Sequence, residues 1–246
     1  MNSLQAKRKS SGNSGFTLAE VVIALGVVAT LLTAFVVVFV YASDRIRETV
    51  DSFEADRLAA ALERELSILR EDEADEETRT AFAKAYRWIE SSGAGEGSII
   101  LVYNYEGDPG IVREDGSLTP VSDTETDGEG FVVTPAVQFV GGGGLSDEIR
   151  RELEVASGPV FCVKLTQLVY DDTGKLIQGG SGIAFPFPDQ EPIPGAENPS
   201  DAFPEPVIAV QADFYRLPTN SPDYISGLDT EELLRPEFSR LIGIRR

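Results

Sequence analysis

Residues 21–42 read VVIALGVVATLLTAFVVVFVYA, a run of 22 positions without one charged side chain. As a helix rising ~1.5 Å per residue it spans about 33 Å, which matches the ~30 Å hydrocarbon core of a bilayer. Lys7, Arg8 and Lys9 precede it on a leader that contains no acid. Basic flanks stay on the cytoplasmic side, so residues 1–15 are expected in the cytoplasm and the bulk of the chain outside it. The same stretch has a second reading as a secretory signal, because Val40-Tyr41-Ala42 before Ser43 has the small-residue pattern of an ordinary cleavage site. That reading needs an apolar run longer than the roughly 7–15 residues usual in such signals, and it leaves Gly15, Phe16 and Glu20 without a role.

Glu20 is the residue a plain anchor does not need. A carboxylate entering hydrocarbon costs about 2–3 kcal/mol on insertion scales, less near an interface, and usually has a partner. It can also act as a helix-start acid at headgroup level, favoured by the helix macrodipole. Its neighbours read Gly15-Phe16-Thr17-Leu18-Ala19-Glu20-Val21, after a short basic, polar leader and before the apolar run. This stretch resembles the class III signal of type IV prepilins and type II secretion pseudopilins. The resemblance covers about the first 45 residues and requires a glycine, a following phenylalanine, a glutamate at the fifth mature position and an unbroken apolar helix, all in register.

The resemblance implies that a prepilin peptidase cuts between Gly15 and Phe16 and methylates the new amino terminus at Phe16. It also implies that Glu20 recruits the chain into a filament of pilin or pseudopilin subunits, delivered from the lipid bilayer by an inner-membrane assembly platform. Elementary electrostatics agrees: a glutamate among packed apolar helices must be neutralised, and the ammonium freed at Phe16 of a neighbouring subunit suits that purpose. Residues 1–15 carry three cations and no acid, so their removal takes the formal charge from −20 to −23. Two departures from the family pattern point to a pseudopilin or minor pilin. Many members kink the apolar helix with a proline, whereas none lies between Phe16 and Lys84, leaving Gly26 as the weak point. A single cysteine, Cys162, also rules out the C-terminal disulfide loop of many pilins.

Beyond the membrane segment the pattern becomes amphipathic. Ile46, Val50, Phe53, Leu58, Leu62, Leu66 and Leu69 recur largely at three- and four-residue steps, with charges between them. One helix from Phe16 to Leu69 would be on the order of 80 Å long. Residues 71–77 hold six acids in seven positions, read as a solvated helix end. A second helix is expected over 78–90, and a short one over 147–155. Strand-forming residues dominate 98–105, 130–140, 160–171, 175–185 and 207–217, with a hairpin turn at Asp171-Asp172-Thr173-Gly174. Residues 186–206 hold seven prolines and read as a stiff surface loop. One or two helical turns are expected over 230–235, and Arg245-Arg246 reads as surface charge.

What the chain lacks narrows its chemistry. With 21 basic against 41 acidic side chains, nucleic acid is a poor partner. With no histidine, His-based nucleophilic triads and His-ligated zinc are excluded. Cys162 sits in the apolar run Val160-Phe161-Cys162-Val163 and is expected to be buried and inert. Asp123, Glu125 and Asp127, followed by Gly128, resemble the opening of a calcium loop, but Thr134 stands where the bidentate glutamate belongs, so a flexible acidic turn is the simpler reading. No phosphate-binding, dinucleotide or serine-hydrolase fingerprint is present, so no enzyme activity and no cofactor are expected.

The fold expected is α+β and pilin-like. A leader (1–15) precedes a transmembrane helix (16–43) and its amphipathic continuation (44–70), packed on a mainly antiparallel β-sheet head (71–246). The function expected is that of a minor pseudopilin or minor pilin, a structural subunit assembled through its N-terminal helix. An unprocessed single-pass membrane-anchored binding protein is the alternative.

Overall fold

The computed structural model describes residues 17–70, 73–76, 78–93, 98–124, 130–171, 173–179, 193–196, 198–229, 233 and 235–246, without the side chains of 40, 42–52 and 93. The chain divides into two compact units, Met1–Phe53 and Glu54–Arg246. One helix, α1 (Leu18–Glu65, 48 residues), contributes to both.

In the first unit, Leu18–Phe39 is long and apolar enough to cross a membrane, with a mean hydropathy of 2.9. Every side chain from Thr17 to Phe39 is exposed, which distinguishes the segment from the core helix of a soluble protein. Its two hydroxyl side chains are satisfied within the helix. Thr30 Oγ1 donates to the Gly26 carbonyl at 2.8 Å and Thr33 Oγ1 to the Ala29 carbonyl at 2.9 Å, so neither leaves a bare polar group on the apolar surface.

The second unit is an antiparallel seven-stranded sheet between two groups of helices. The strands are β1 (Ile99–Val112), β2 (Leu118–Pro120), β3 (Val132–Val140), β4 (Phe161–Tyr170), β5 (Leu176–Gln178), β6 (Val207–Arg216) and β7 (Phe238–Arg245). Their order is β2-β1-β4-β6-β7, with β3 paired to β1 and β5 to β4. In the first half of β1, Ile100 and Val102 face one core, and Ile99, Leu101, Tyr103 and Tyr105 face the other. The first core is closed by the C-terminal part of α1 and by α2 (Ala81–Gly93). Leu58, Leu62 and Leu66, four residues apart, are all at most 1% exposed there, and each contributes about 1.5–3 kcal/mol by burial. The second core lies under α3 (Asp147–Glu154) and α5 (Pro222–Ser226), where Ile149, Leu153 and Ile225 are buried. Burial on both faces explains why β1 opens with the continuous run Ile99-Ile100-Leu101-Val102-Tyr103 instead of an apolar-polar alternation.

Several elements depart from the pattern expected of the sequence. α1 stops at Glu65, four residues before Leu69, because the Glu65 carboxylate turns to Lys84 and Arg70 and the chain leaves the helix through tighter turns at Ser67 and Ile68. α2 begins at Ala81 because Thr80 Oγ1 accepts from the Ala83 N–H at 3.1 Å and caps it there. β1 runs on through Gly107-Asp108-Pro109-Gly110, a turn-like sequence accommodated by an irregular register with β2. Gly107 is required at that step, since a Cβ there would meet the Leu118 Cβ at 2.6 Å. β5 has three residues, and 180–185 lies outside the described residues. The hairpin turn stands as expected: Gly174 has φ +77, and Asp171 Oδ1 accepts from the N–H groups of Thr173 and Lys175. Of the proline-rich stretch, 198–206 is described in full and contains α4 (Pro199–Ala202). The expected turns over 230–235 fall largely outside the described residues, and β7 follows them.

The acidic run and the C-terminus are also more engaged than surface charge. Glu73 Oε2 accepts from Lys84 Nζ at 2.6 Å, and Asp75 Oδ1 caps the Thr78 N–H at 2.6 Å. The Arg246 guanidinium donates to the carbonyls of Ser200 (2.6 Å) and Phe203 (2.9 Å) and lies 4.9 Å from the Phe82 ring centre. Cys162 is 1% exposed, and burial pushes its thiol up to about 12. A thiol reagent such as a disulfide dye is therefore expected to leave the native chain unmodified and to label it stoichiometrically in denaturant. Fast labelling of the native protein would contradict this burial.

Candidate functional site

Thr17-Leu18-Ala19-Glu20 forms the start of α1, and its geometry is that of a capping box. Glu20 Oε2 accepts from the Thr17 N–H and from Thr17 Oγ1, both at 2.9 Å, while Thr17 Oγ1 accepts from the Glu20 N–H at 3.3 Å. Two backbone donors that a helix start leaves unsatisfied are thereby paired reciprocally. Glu20 is exposed, and its second carboxylate oxygen has no partner among the described residues. Gly15 and Phe16 lie outside the described residues. Thr17 is the residue that reading for charge alone passes over; its signal is the threonine three positions before a glutamate.

The arrangement can do two things chemically. The Thr17 bonds hold one face of the carboxylate at the helix start, and the remaining oxygen is open to a cation from outside the chain. The apolar surface that follows has no cover within its own unit and requires either acyl chains or other apolar helices.

In the head, Asp123 is the one residue of the calcium candidate that is described. Asp123 Oδ2 pairs with the Arg151 guanidinium at 3.0 Å, and Glu125 and Asp127 lie outside the described residues. Among the described residues no group of three or more acidic, cysteine or histidine side chains is placed to hold a metal. Among the described residues the most buried acid is Glu152 on α3, at 0% exposure. It accepts from the Tyr103 hydroxyl at 2.6 Å, from Arg113 at 2.7 Å and from Gln138 at 3.4 Å. Burial pushes its carboxyl above the ordinary range against the pull of those three donors. Both of its oxygens are engaged, so the cluster ties α3 to β1 and β3.

No protein-family model, curated protein or solved structure matches this chain.

Proposed function

We propose that the chain is a type IV pilin-like structural subunit, a minor pseudopilin or minor pilin that is processed by prepilin peptidase and assembled through its N-terminal helix. One observation carries the reading: Gly15, Phe16 and Glu20 stand in the register of a class III signal, at the head of an apolar segment, Leu18–Phe39, whose side chains are all exposed. The α+β head with its antiparallel sheet is consistent with a pilin-like fold, as is the passage of α1 from the apolar segment to the head core at Leu58 and Leu62. In this reading residues 1–15 are removed on the cytoplasmic side of the inner membrane. The helix then holds the subunit in the bilayer with the head outside, and enters a bundle of like helices when the filament grows.

The Thr17–Glu20 capping box favours a second reading, an unprocessed single-pass anchor, because it gives Glu20 a use that needs no neighbour. Processing separates the two. Co-expressed with a prepilin peptidase, the chain is expected to start at methylated Phe16 by intact mass and N-terminal sequencing, and a bulky residue in place of Gly15 is expected to abolish the cut. A chain that keeps its leader beside an active peptidase supports the anchor, and one that starts at Ser43 is a secreted domain.

A further inference from the structure

Among the described residues β3 is paired on one side only, by β1. The partner strand determines which backbone groups of β3 are left over. The Ser157 N–H donates to the Asn104 carbonyl at 2.9 Å and the Glu106 N–H to the Val155 carbonyl at 3.1 Å, so even-numbered residues of β1 turn their backbone groups away from β3. Odd-numbered residues face β3 and, in register, meet Thr134, Ala136 and Gln138. Val133, Pro135, Val137 and Phe139 therefore present their backbone groups at the free edge. The Arg57 guanidinium fits this parity by donating to the Val133 carbonyl at 2.6 Å. Beyond Val133, the N–H groups of Val137 and Phe139 and the carbonyls of Pro135, Val137 and Phe139 have no partner among the described residues.

This edge borders two cavities of about 540 and 260 Å³ that share Arg70, Val137 and Gln138 in their walls. Ala60 and Ala61 of α1 line the larger one, and their short side chains leave space beside the strand. The charge lining that space is unusual for a chain of net −20. Two of its three acids are ion-paired from within, Glu65 by Lys84 and Glu152 by Arg113, and Asp115, bonded to the neutral Ser117 hydroxyl, sets one negative charge against the two guanidiniums of Arg57 and Arg64. The guanidinium of Arg64, exposed on the same wall, has neither hydrogen bond nor ion pair among the described residues. The charge left to meet an incoming group is therefore positive.

We propose that the free edge of β3 takes up an extended acidic segment of a partner polypeptide as an added strand. Its backbone pairs with Val137, Phe139 and the Pro135 carbonyl, and its carboxylates, one at every second residue, meet Arg64 and Arg57. Strand addition draws affinity from the main chain, while side chains on one face, repeating with a period of two, set specificity. Pro135 offers no N–H, which keeps the pairing short and makes the charge contact necessary. The inference does not depend on the processing of residues 1–15.

Trp88, the one tryptophan, stacks on Phe139 with ring centres 5.3 Å apart and reports on this edge. The full chain in detergent is titrated with a blocked peptide of alternating threonine and glutamate. A saturable change in Trp88 emission is expected, weakened roughly tenfold by Arg64→Glu or by a glutamine version of the peptide. N-methylation of the threonines alone or of the glutamates alone blocks opposite edges of the peptide, so one series is expected to lose binding and the other to keep it. The proposal fails if millimolar peptide gives no saturable change, or if the two methylated peptides bind alike, which is charge contact without strand pairing. It fails equally if the edge ignores the peptide and pairs with a second copy of the chain.

Discussion

Glu20→Gln is expected to block entry of the subunit into a filament while the chain remains in the membrane with its head folded. Glutamine at this position keeps the capping box, because its amide oxygen can accept both Thr17 bonds that Glu20 Oε2 accepts at 2.9 Å. Only the negative charge is lost. A cap contributes about 1 kcal/mol to a helix start, a small term for a helix of 48 residues. In the proposed filament, leaving a neighbouring subunit's terminal ammonium without its counter-charge among apolar helices would cost more, about 2.5–3.5 kcal/mol per charge on insertion scales. Thr17→Ala is the complementary change, removing the side-chain half of the cap and keeping the charge, and it is expected to assemble. The measurement is the fraction of each variant recovered in sheared or sedimented filaments, with membrane insertion and protease resistance of the head as controls. A glutamine variant that assembles like the parent would reduce Glu20 to a cap, and the anchor reading would then stand.

The sequence is legible where local patterns and tertiary structure agree. The four-residue spacing of Leu58 and Leu62, continued by Leu66 just past the helix end, marks the face of α1 that enters the core, and the runs around Cys162 and Val210 mark the two strands at the sheet centre. Asp171 and Gly174 announce their turn because each is chosen for its own backbone conformation. β7 is different. Phe238–Arg245 carries two arginines, a serine and a glycine in eight positions, and it becomes a strand by pairing along its whole length with β6. The far end of β1 is missed for the opposite reason: the expected strand stops at residue 105, before glycines and a proline, yet β1 runs on to Val112 and Gly107 serves a close approach to a strand the sequence does not announce.

The candidate sites divide in the same way. Thr17 and Glu20 can be read together from four consecutive letters, because a capping box is local. The groove beside β3 cannot. Whether a strand is an edge depends on strand order, and the wall that supplies Arg57 and Arg64 comes from a helix at least 68 residues earlier in the chain. Lys84 belongs to the same class of feature. In sequence it is one lysine on an apolar helix face, and its surroundings are set by a turn that local pattern takes for solvated acid.

Lys84→Met is expected to lower the stability of the head by about 3–5 kcal/mol, the range for breaking a buried ion pair from one side. Lys84 is 2% exposed, and its three donors reach Glu65 Oε1 and Glu73 Oε2, both at 2.6 Å, and the Ile68 carbonyl at 3.3 Å. Methionine fills the same volume beside Trp88 but leaves the Glu65 carboxylate, 7% exposed, with Arg70 alone. Glu73, at 24%, can recover water, so the cost falls mainly on Glu65. It follows that Lys84→Met combined with Glu65→Leu should regain about half or more of the loss, since the penalty lies in the orphaned charge and not in the missing attraction. Urea unfolding in detergent, followed by Trp88 emission, measures both variants against the parent. If the single variant is as stable as the parent, the network is not holding the end of α1 against α2. If the double variant is less stable than the single one, the carboxylate is structural in its own right, through Arg70, and the lysine is its secondary partner.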